Sequence, residues 1–421
     1  MKQNSTDVVI IGAGLAGLTC AAELIDKGIE VTVVEAAPTP GGRVRTDHHE
    51  GFLLDHGFQV LLTAYPTAQK YLDYKSLDLR SFYPGAIIKG EGFSEKMADP
   101  FRRPLDGIKT VMSPVGSAKD KLLIGQLRTA MIGRSLEKIY QGKGMRSFDW
   151  LKDEGYSDTF ITQFFKPFYG GVMLDRDLET SHKMLEFTYK MFAAGDTAVP
   201  AKGMGQLTAQ LAARIPEGHL LLNTPVKQIK KGEGIELENG DTIHANQIVV
   251  ATDMDFAREH VEGIPQNTWR GVRCLYFAAP TAPEDDPILV LNGEERGPIN
   301  NLCVMSKVSP EYGTQDEELI SISVLGDGLK LPEDELINAV KNHAISWYGR
   351  STIEQWRHLK TYDIHKGQPD QSDQKLDEIF RDVRFGEELF VCGDHRETAS
   401  IEGAMHSGQR TAEAIINTRS T

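Results

Sequence analysis

Positive charge is in short supply in this chain. Lys and Arg number 46 against 60 Asp and Glu, for a net charge of −14 at pH 7. A surface this acidic repels phosphate backbones, which argues against general nucleic-acid binding. There is no run of ~20 apolar residues, which excludes a transmembrane helix. Cysteine is sparse. Cys20, Cys274, Cys303 and Cys392 lie far apart without a C-x-x-C, and read as buried free thiols of a reducing compartment. The 12 histidines supply no metal-spaced set, His48-His49 reads as a loop pair, and no metal site is expected. Repeats and low-complexity tracts are absent. The first strand starts almost at the N-terminus and leaves no room for a signal peptide, so a cytoplasmic protein is expected. What remains, 421 residues with 40% hydrophobic and 25% charged content, is ordinary globular composition with room for two or three domains.

Glycine is what the chain has in quantity, and its placement is informative. Residues 7–35 read DVVIIGAGLAGLTCAAELIDKGIEVTVVE. Val8 to Ile11 form a β-branched run that ends at Gly12-Ala13-Gly14-Leu15-Ala16-Gly17, a G-x-G-x-x-G. Thr19 to Lys27 have helical spacing, with Gly28 as a stop. Val31 to Val34 form a second strand, ending on Glu35. In such a unit Gly12 permits the tight turn, Gly14 lets backbone approach a pyrophosphate, and Gly17 lets helix and strand pack. The helix N-terminus offers free N–H groups and a positive dipole end to phosphate. Glu35, followed by Ala36, can accept from a ribose hydroxyl. The expected ligand is an adenine dinucleotide, NAD or FAD. The loop after Glu35 carries Gly41-Gly42-Arg43-Val44-Arg45, where Arg43 and Arg45 suit phosphate or stand solvated.

A G-x-G-x-x-G, an acid, then a G-G-R-x-R loop resembles the flavin-containing amine oxidase superfamily, which includes monoamine and polyamine oxidases, protoporphyrinogen oxidase and phytoene desaturase-type enzymes. The resemblance favours FAD over NAD. In GFLLDHG (51–57) it implies that Gly57 brings backbone to the flavin ring, with His56 near the ring or else simply structural. It places Val226 at the adenine, in the meander that runs through TPVKQIKKGEGIELENGDTIHANQIVVATD, and Ala251 on the strand passing the pyrophosphate. The closing stretch LFVCGDHRETASIEGAMHSGQRTAEAII (389–416) resembles the superfamily's last FAD motif. There Gly393 and Asp394 meet the ribityl or pyrophosphate, and Ile401 to Ala404 open a helix toward the flavin. Cys392 lies inside the strand, so noncovalent FAD is expected. By the same resemblance Arg273 stands where many amine oxidases carry a lysine beside flavin N5, or is a plain strand arginine. Tyr362, ahead of the last motif, is one wall of an aromatic cage or a packing residue.

The remaining stretches are less specific. Residues 60–195 read as mostly helical and rich in aromatics, with FKPFYGGVMLD (165–175) broken by Pro167. From Arg102 to Arg146 ten basic residues face three acidic ones, a local charge of +7. Leu122, Leu123, Ile124, Leu127, Met131, Ile132, Leu136 and Ile139 could form an apolar stripe beside them. Two readings stand: peripheral membrane contact or a partner surface through residues 102–146, and a solvated helix face neutralised by acids elsewhere in the chain. Strands are expected near 273–278, 288–292, 301–305 and 319–325, with a helix over Glu333–Tyr348.

The resulting expectation is an α/β fold. A Rossmann-like FAD-binding domain of the glutathione-reductase/amine-oxidase type would comprise 1–62, 196–256 and 368–421. A discontinuous α+β substrate domain would comprise 63–195 and 257–367. The expected activity is FAD-dependent oxidation of a small-molecule substrate, apolar or amine, by hydride transfer from a C–N or C–C unit to flavin N5. A redox-neutral isomerase acting on a polyene or lipid and a non-catalytic flavoprotein remain as alternatives.

Overall fold

The computed structural model describes residues 5–372, 376 and 378–419. Its first sheet grows from the glycine-rich unit. Ser5–Ile11 lies between Val31–Val34 and Thr242–Val250, parallel to both, and Leu220–Leu221 extends the parallel set beyond Val31–Val34. Leu389–Val391 pairs in parallel with Thr242–Val250 and so brings the C-terminal segment beside the N-terminal one. Val8, Val9 and Ile10 are wholly buried, as expected of a continuous apolar strand covered on both faces. The meander is present as Val226–Lys230, Gly234–Leu237 and Thr242–Val250, antiparallel. Leu15–Asp26 and the C-terminal helix Ile401–Arg419 cross so closely that a Cβ on Gly408 would lie 2.2 Å from the Ala16 carbonyl oxygen.

The second sheet has seven strands, in the order Arg357–Pro369, Trp269–Ala279, Glu318–Val324, Ile299–Val304, Leu289–Asn292, Gly85–Gly90, Phe93–Ala98. All pairings are antiparallel except Leu289–Asn292 with Gly85–Gly90. One face, with Leu275, Phe277, Ile320 and Ile322, is covered by the helix Glu333–Tyr348 through Leu336 and Val340. The opposite face, with Cys274 and Tyr276, joins the main core.

Four local expectations are corrected. Residues 60–195 are not mostly helical throughout, because Gly85–Gly90 and Phe93–Ala98 complete the second sheet. His48 and His49 belong to the strand Thr46–His49, which pairs with Phe52–Asp55. Pro167 does not break its helix. The chain widens into a π turn over Ile161–Phe165, and Pro167 enters the first turn of Lys166–Met173, where its missing N–H costs no bond. The stripe on Ala118–Gly133 is largely core: Leu127 and Met131 are buried, as is Ile139 beyond it, with only Leu122 and Ile132 outside. No helix among the described residues is long and apolar enough to cross a membrane.

Candidate functional site

The glycine turn is built for a ligand at its mouth. Gly12 has φ +108°, and a Cβ there would lie 2.7 Å from the Ala251 carbonyl oxygen. A Cβ on Gly17 would lie 2.1 Å from the Gly12 oxygen and 3.0 Å from the Ala251 Cβ, so Ala251 packs directly on the turn. Gly14 sits at the N-cap with no side-chain cap, no acid follows in the first turn, and nothing lies within 4 Å of its would-be Cβ. The first-turn N–H groups of Leu15, Ala16 and Gly17 therefore have no side-chain cap at the N-cap position, which suits a pyrophosphate.

Glu35 shapes the adjoining rim. Its carboxylate accepts from Ala13 N and Ala37 N, both at 2.8 Å. Each oxygen keeps a lone pair that could receive a sugar hydroxyl. Thr224 N donates to the Glu35 carbonyl at 2.8 Å, which brings the start of Val226–Lys230 alongside. Ala36 is exposed beside it. Gly42, with φ +58°, lies against Gly14.

The two chain ends meet through Arg43. Its guanidinium donates to both oxygens of Asp394, at 2.6 and 2.8 Å, and to the Gly367 carbonyl at 2.8 Å, and it stands over the Trp269 ring. Each Asp394 oxygen thus takes one bond from Arg43 and, like those of Glu35, keeps a lone pair. Gly393 has φ +147°. Next to it His395 is buried, and neither ring nitrogen has a partner among the described residues. Burial pushes its pKa down to about 4. Gln59 Oε1 and Arg45 Nε are also buried and unpartnered. Orphaned polar atoms at these loops are what a polar cofactor, when bound, would satisfy. Ile401 and Ala404 open the C-terminal helix behind Asp394, while Glu402 turns away to cap Thr67 through its N–H and hydroxyl.

His56 and Tyr362 are brought together, and Asp47 joins them. His56 Nε2 donates to Asp47 Oδ1 at 2.9 Å, and its Nδ1 accepts from Arg45 at 3.2 Å. Tyr362 Oη and Lys360 Nζ donate to Asp47 Oδ2 at 2.7 and 2.8 Å. Burial would raise the Asp47 carboxyl, but the bonds from Lys360, His56 and Tyr362 outweigh it and hold the group well below the usual carboxylate range. Burial lowers His56, which is consistent with a neutral ring whose two nitrogens are both engaged. The Tyr362 ring lies 4.7 Å from His56, tilted 42°, and 6.0 Å from Tyr276, nearly perpendicular. Nearby, Asp55 accepts from Thr46 Oγ1, Tyr312 Oη and Met204 N, and burial pushes it up to about 6. Gly57 has φ +93°, a conformation that side chains rarely adopt, and a Cβ there would press on the tip of Ile364 at 2.8 Å.

Arg273 is not part of this assembly. It is buried with Leu275 and Phe277 on the helix-covered face, donates to the Leu331 carbonyl and pairs with Asp363. Cys274, opposite Tyr362 in the register, faces the site side instead. The expectation of Arg273 beside flavin N5 therefore fails on strand parity. Asp47, His395, Trp269 and Gly367 are site residues that sequence reasoning missed. Only Asp47, an acid in a hairpin with GFLLDHG, left a usable signal.

A wall of half-buried rings extends from this region. Phe164 and Phe168 are stacked 5.5 Å apart at 9°, and Phe168 meets Phe192 at 5.2 Å. At the other end of that helix, Leu174 touches Gly367, the residue held by Arg43.

Comparison with known proteins agrees with this geometry. A 15-cis-phytoene desaturase from Synechococcus elongatus is 22% identical over 467 residues, covering 97% of this chain and 95% of that protein. Protoporphyrinogen oxidase 2 of Arabidopsis thaliana is 26% identical over 164 residues; the match spans 39% of this chain and about a third (32%) of that relative's length. Among solved structures, a putrescine oxidase bound to putrescine superposes with a TM-score of 0.74 at 16% identity, covering 98% of this chain and 99% of that one. An oxidoreductase from Methanosarcina mazei gives 0.76 at 18% identity, covering 97% and 100%. These structural likenesses establish the fold, a Rossmann-like FAD domain joined to a substrate domain. The family of flavin containing amine oxidoreductases matches residues 15–416, and the chain belongs to that family as an FAD-dependent oxidoreductase.

Proposed function

We propose that this enzyme oxidises an extended apolar substrate, a hydride leaving one carbon for the flavin that would be bound and a proton leaving its neighbour for water, so that a double bond remains. When bound, FAD supplies the hydride acceptor at N5. In this reading Leu15, Ala16 and Gly17 present N–H groups to the pyrophosphate, Glu35 takes the ribose, and Val226 abuts the adenine. Gly57 and the Ile401–Ala404 turn approach the flavin, while Arg43 locks the Asp394 loop shut over it. Tyr362 and His56 act as positioning residues, because their polar atoms are already committed to Asp47 and Arg45.

The carrying observation is the Phe164–Phe168–Phe192 wall of half-buried rings, on the helical segment whose C-terminal Leu174 packs beside Gly367. Stacked rings of this kind solvate a planar hydrocarbon chain. A small amine would need a paired aromatic cage, and Tyr362 has no parallel aromatic partner among the described residues. The full-length similarity to a phytoene desaturase points the same way. The test is anaerobic mixing of the holoenzyme with a detergent-dispersed polyene, or with putrescine and cyclic amines, while the flavin absorbance is followed. Bleaching by the polyene and not by the amines is expected. Rapid bleaching by an amine alone would overturn the reading.

A further inference from the structure

One helix of this protein is packed inside out. In Pro104–Met112 the small and polar residues face inward. Gly107 is buried against Pro100, and Thr110 exchanges hydrogen bonds with Ala98 N and O. The apolar residues face outward: Leu105 is 83% exposed, Ile108 61%, Val111 64% and Met112 79%. At helical spacing these four span about a third of the circumference, a continuous stripe. Phe101 before the helix and Leu122 on Ala118–Gly133 are exposed as well. An apolar face of this size, left in water by a helix that buries its polar side, marks a contact surface.

The charge around the stripe identifies the occupant. Lys109 and Lys119 are exposed and form no ion pair among the described residues, and Arg103 is exposed beside Tyr83. They lie in the segment 102–146, whose Arg102, Arg128, Arg134 and Arg146 are paired with Asp196, Asp99, Glu186 and Asp149 outside it, so the cations left beside the stripe are Arg103, Lys109 and Lys119. A second copy pairing through the same face would set two basic surfaces against each other. An anionic bilayer meets both demands, taking the apolar side chains below its headgroups and the lysines at them.

We infer that Pro104–Met112 docks the enzyme on anionic membrane surfaces, with Leu105, Ile108 and Met112 inserted and Lys109 and Lys119 on the headgroups. Arg102, two residues before the helix, donates to the Phe192 carbonyl, which ties the start of the helix to the end of the aromatic wall. Delivery of an apolar substrate from the bilayer to that wall rests on the proposed function; docking itself does not.

The test is co-sedimentation of the holoenzyme with phosphatidylcholine vesicles, with and without phosphatidylglycerol. Binding is expected only with phosphatidylglycerol, and is expected to fall in high salt. Leu105→Ser/Ile108→Ser/Met112→Ser is expected to lower the partition coefficient on the order of 100-fold, and Lys109→Gln/Lys119→Gln about 10-fold or more. Both variants change exposed side chains, so unchanged flavin content and melting temperature will show that they fold. The proposal is overturned by equal binding to neutral vesicles, by a triple variant that binds like the parent, or by light scattering that shows a dimer dissolved by the triple variant. Vesicle binding with no polyene bleaching would sink the substrate assignment alone.

Discussion

Replacing Arg43 with methionine tests whether the two chain ends are tied together by one ion pair. The guanidinium is 39% exposed on its side chain, whereas Asp394 is 6% exposed and takes both its hydrogen bonds from Arg43. Two opposing estimates apply. A surface pair contributes about 0–1 kcal/mol, while breaking a buried pair costs about 3–5 kcal/mol because a desolvated charge is stranded. Burial of the carboxylate decides for the second, and partial solvation of the arginine discounts it, giving about 2–3 kcal/mol. Arg43→Met should therefore melt several degrees lower and lose FAD on gel filtration. The double variant Arg43→Met/Asp394→Asn should recover part of the loss, since no charge is left stranded. The assay is thermal unfolding of apoprotein and holoprotein, with flavin content read from absorbance. A cost below about 0.5 kcal/mol in the apoprotein would refute the buried-pair reasoning and make Arg43 an ordinary loop arginine.

Four further outcomes follow from the same structure. Gly408→Ala should destabilise by about 1–3 kcal/mol, because overpacking against rigid backbone outweighs the gain in helix propensity. Gly125→Ala, whose Cβ meets nothing within 4 Å, should be neutral or stabilising in the same melts. Asp55, raised to about 6 by burial, binds its proton more tightly folded than unfolded. Its contribution to stability is therefore complete below about pH 4 and is lost as pH rises through 6; Asp55→Asn should flatten that part of the stability–pH curve in urea titrations. Arg273→Met should lower the melting temperature through the lost Leu331 and Asp363 bonds, yet leave the rate of flavin reduction within about twofold; a large kinetic loss would return Arg273 to the site.

The unequal legibility of this chain has physical causes. The glycine turn could be read because its constraints are local: a positive φ at Gly12, a close approach at Gly17 and an acid at the next strand end all lie within one βαβ unit. The helix Glu333–Tyr348 was equally readable, since its period lies wholly within one segment. Arg273 was misplaced because Trp269–Ala279 is apolar on both faces, so no alternation marks which side faces the ligand, and a one-residue slip inverts every assignment. The Arg43–Asp394 pair spans 351 positions, and only the folded chain shows that the arginine's partner is protein. Pro104–Met112 shows the deepest limit. Its apolar residues at 105, 108 and 112 have the spacing of a core helix, and periodicity reports that a stripe exists without saying which way it points. Direction is set by what the opposite face can pack against. Here Gly107 and Thr110 fit Pro100 and Ala98 so closely that the helix can seat only with its apolar side in the solvent. The exposed stripe is thus enforced by contact at its back, so larger residues at Gly107 or Thr110 would be expected to unseat the helix even with every apolar residue kept.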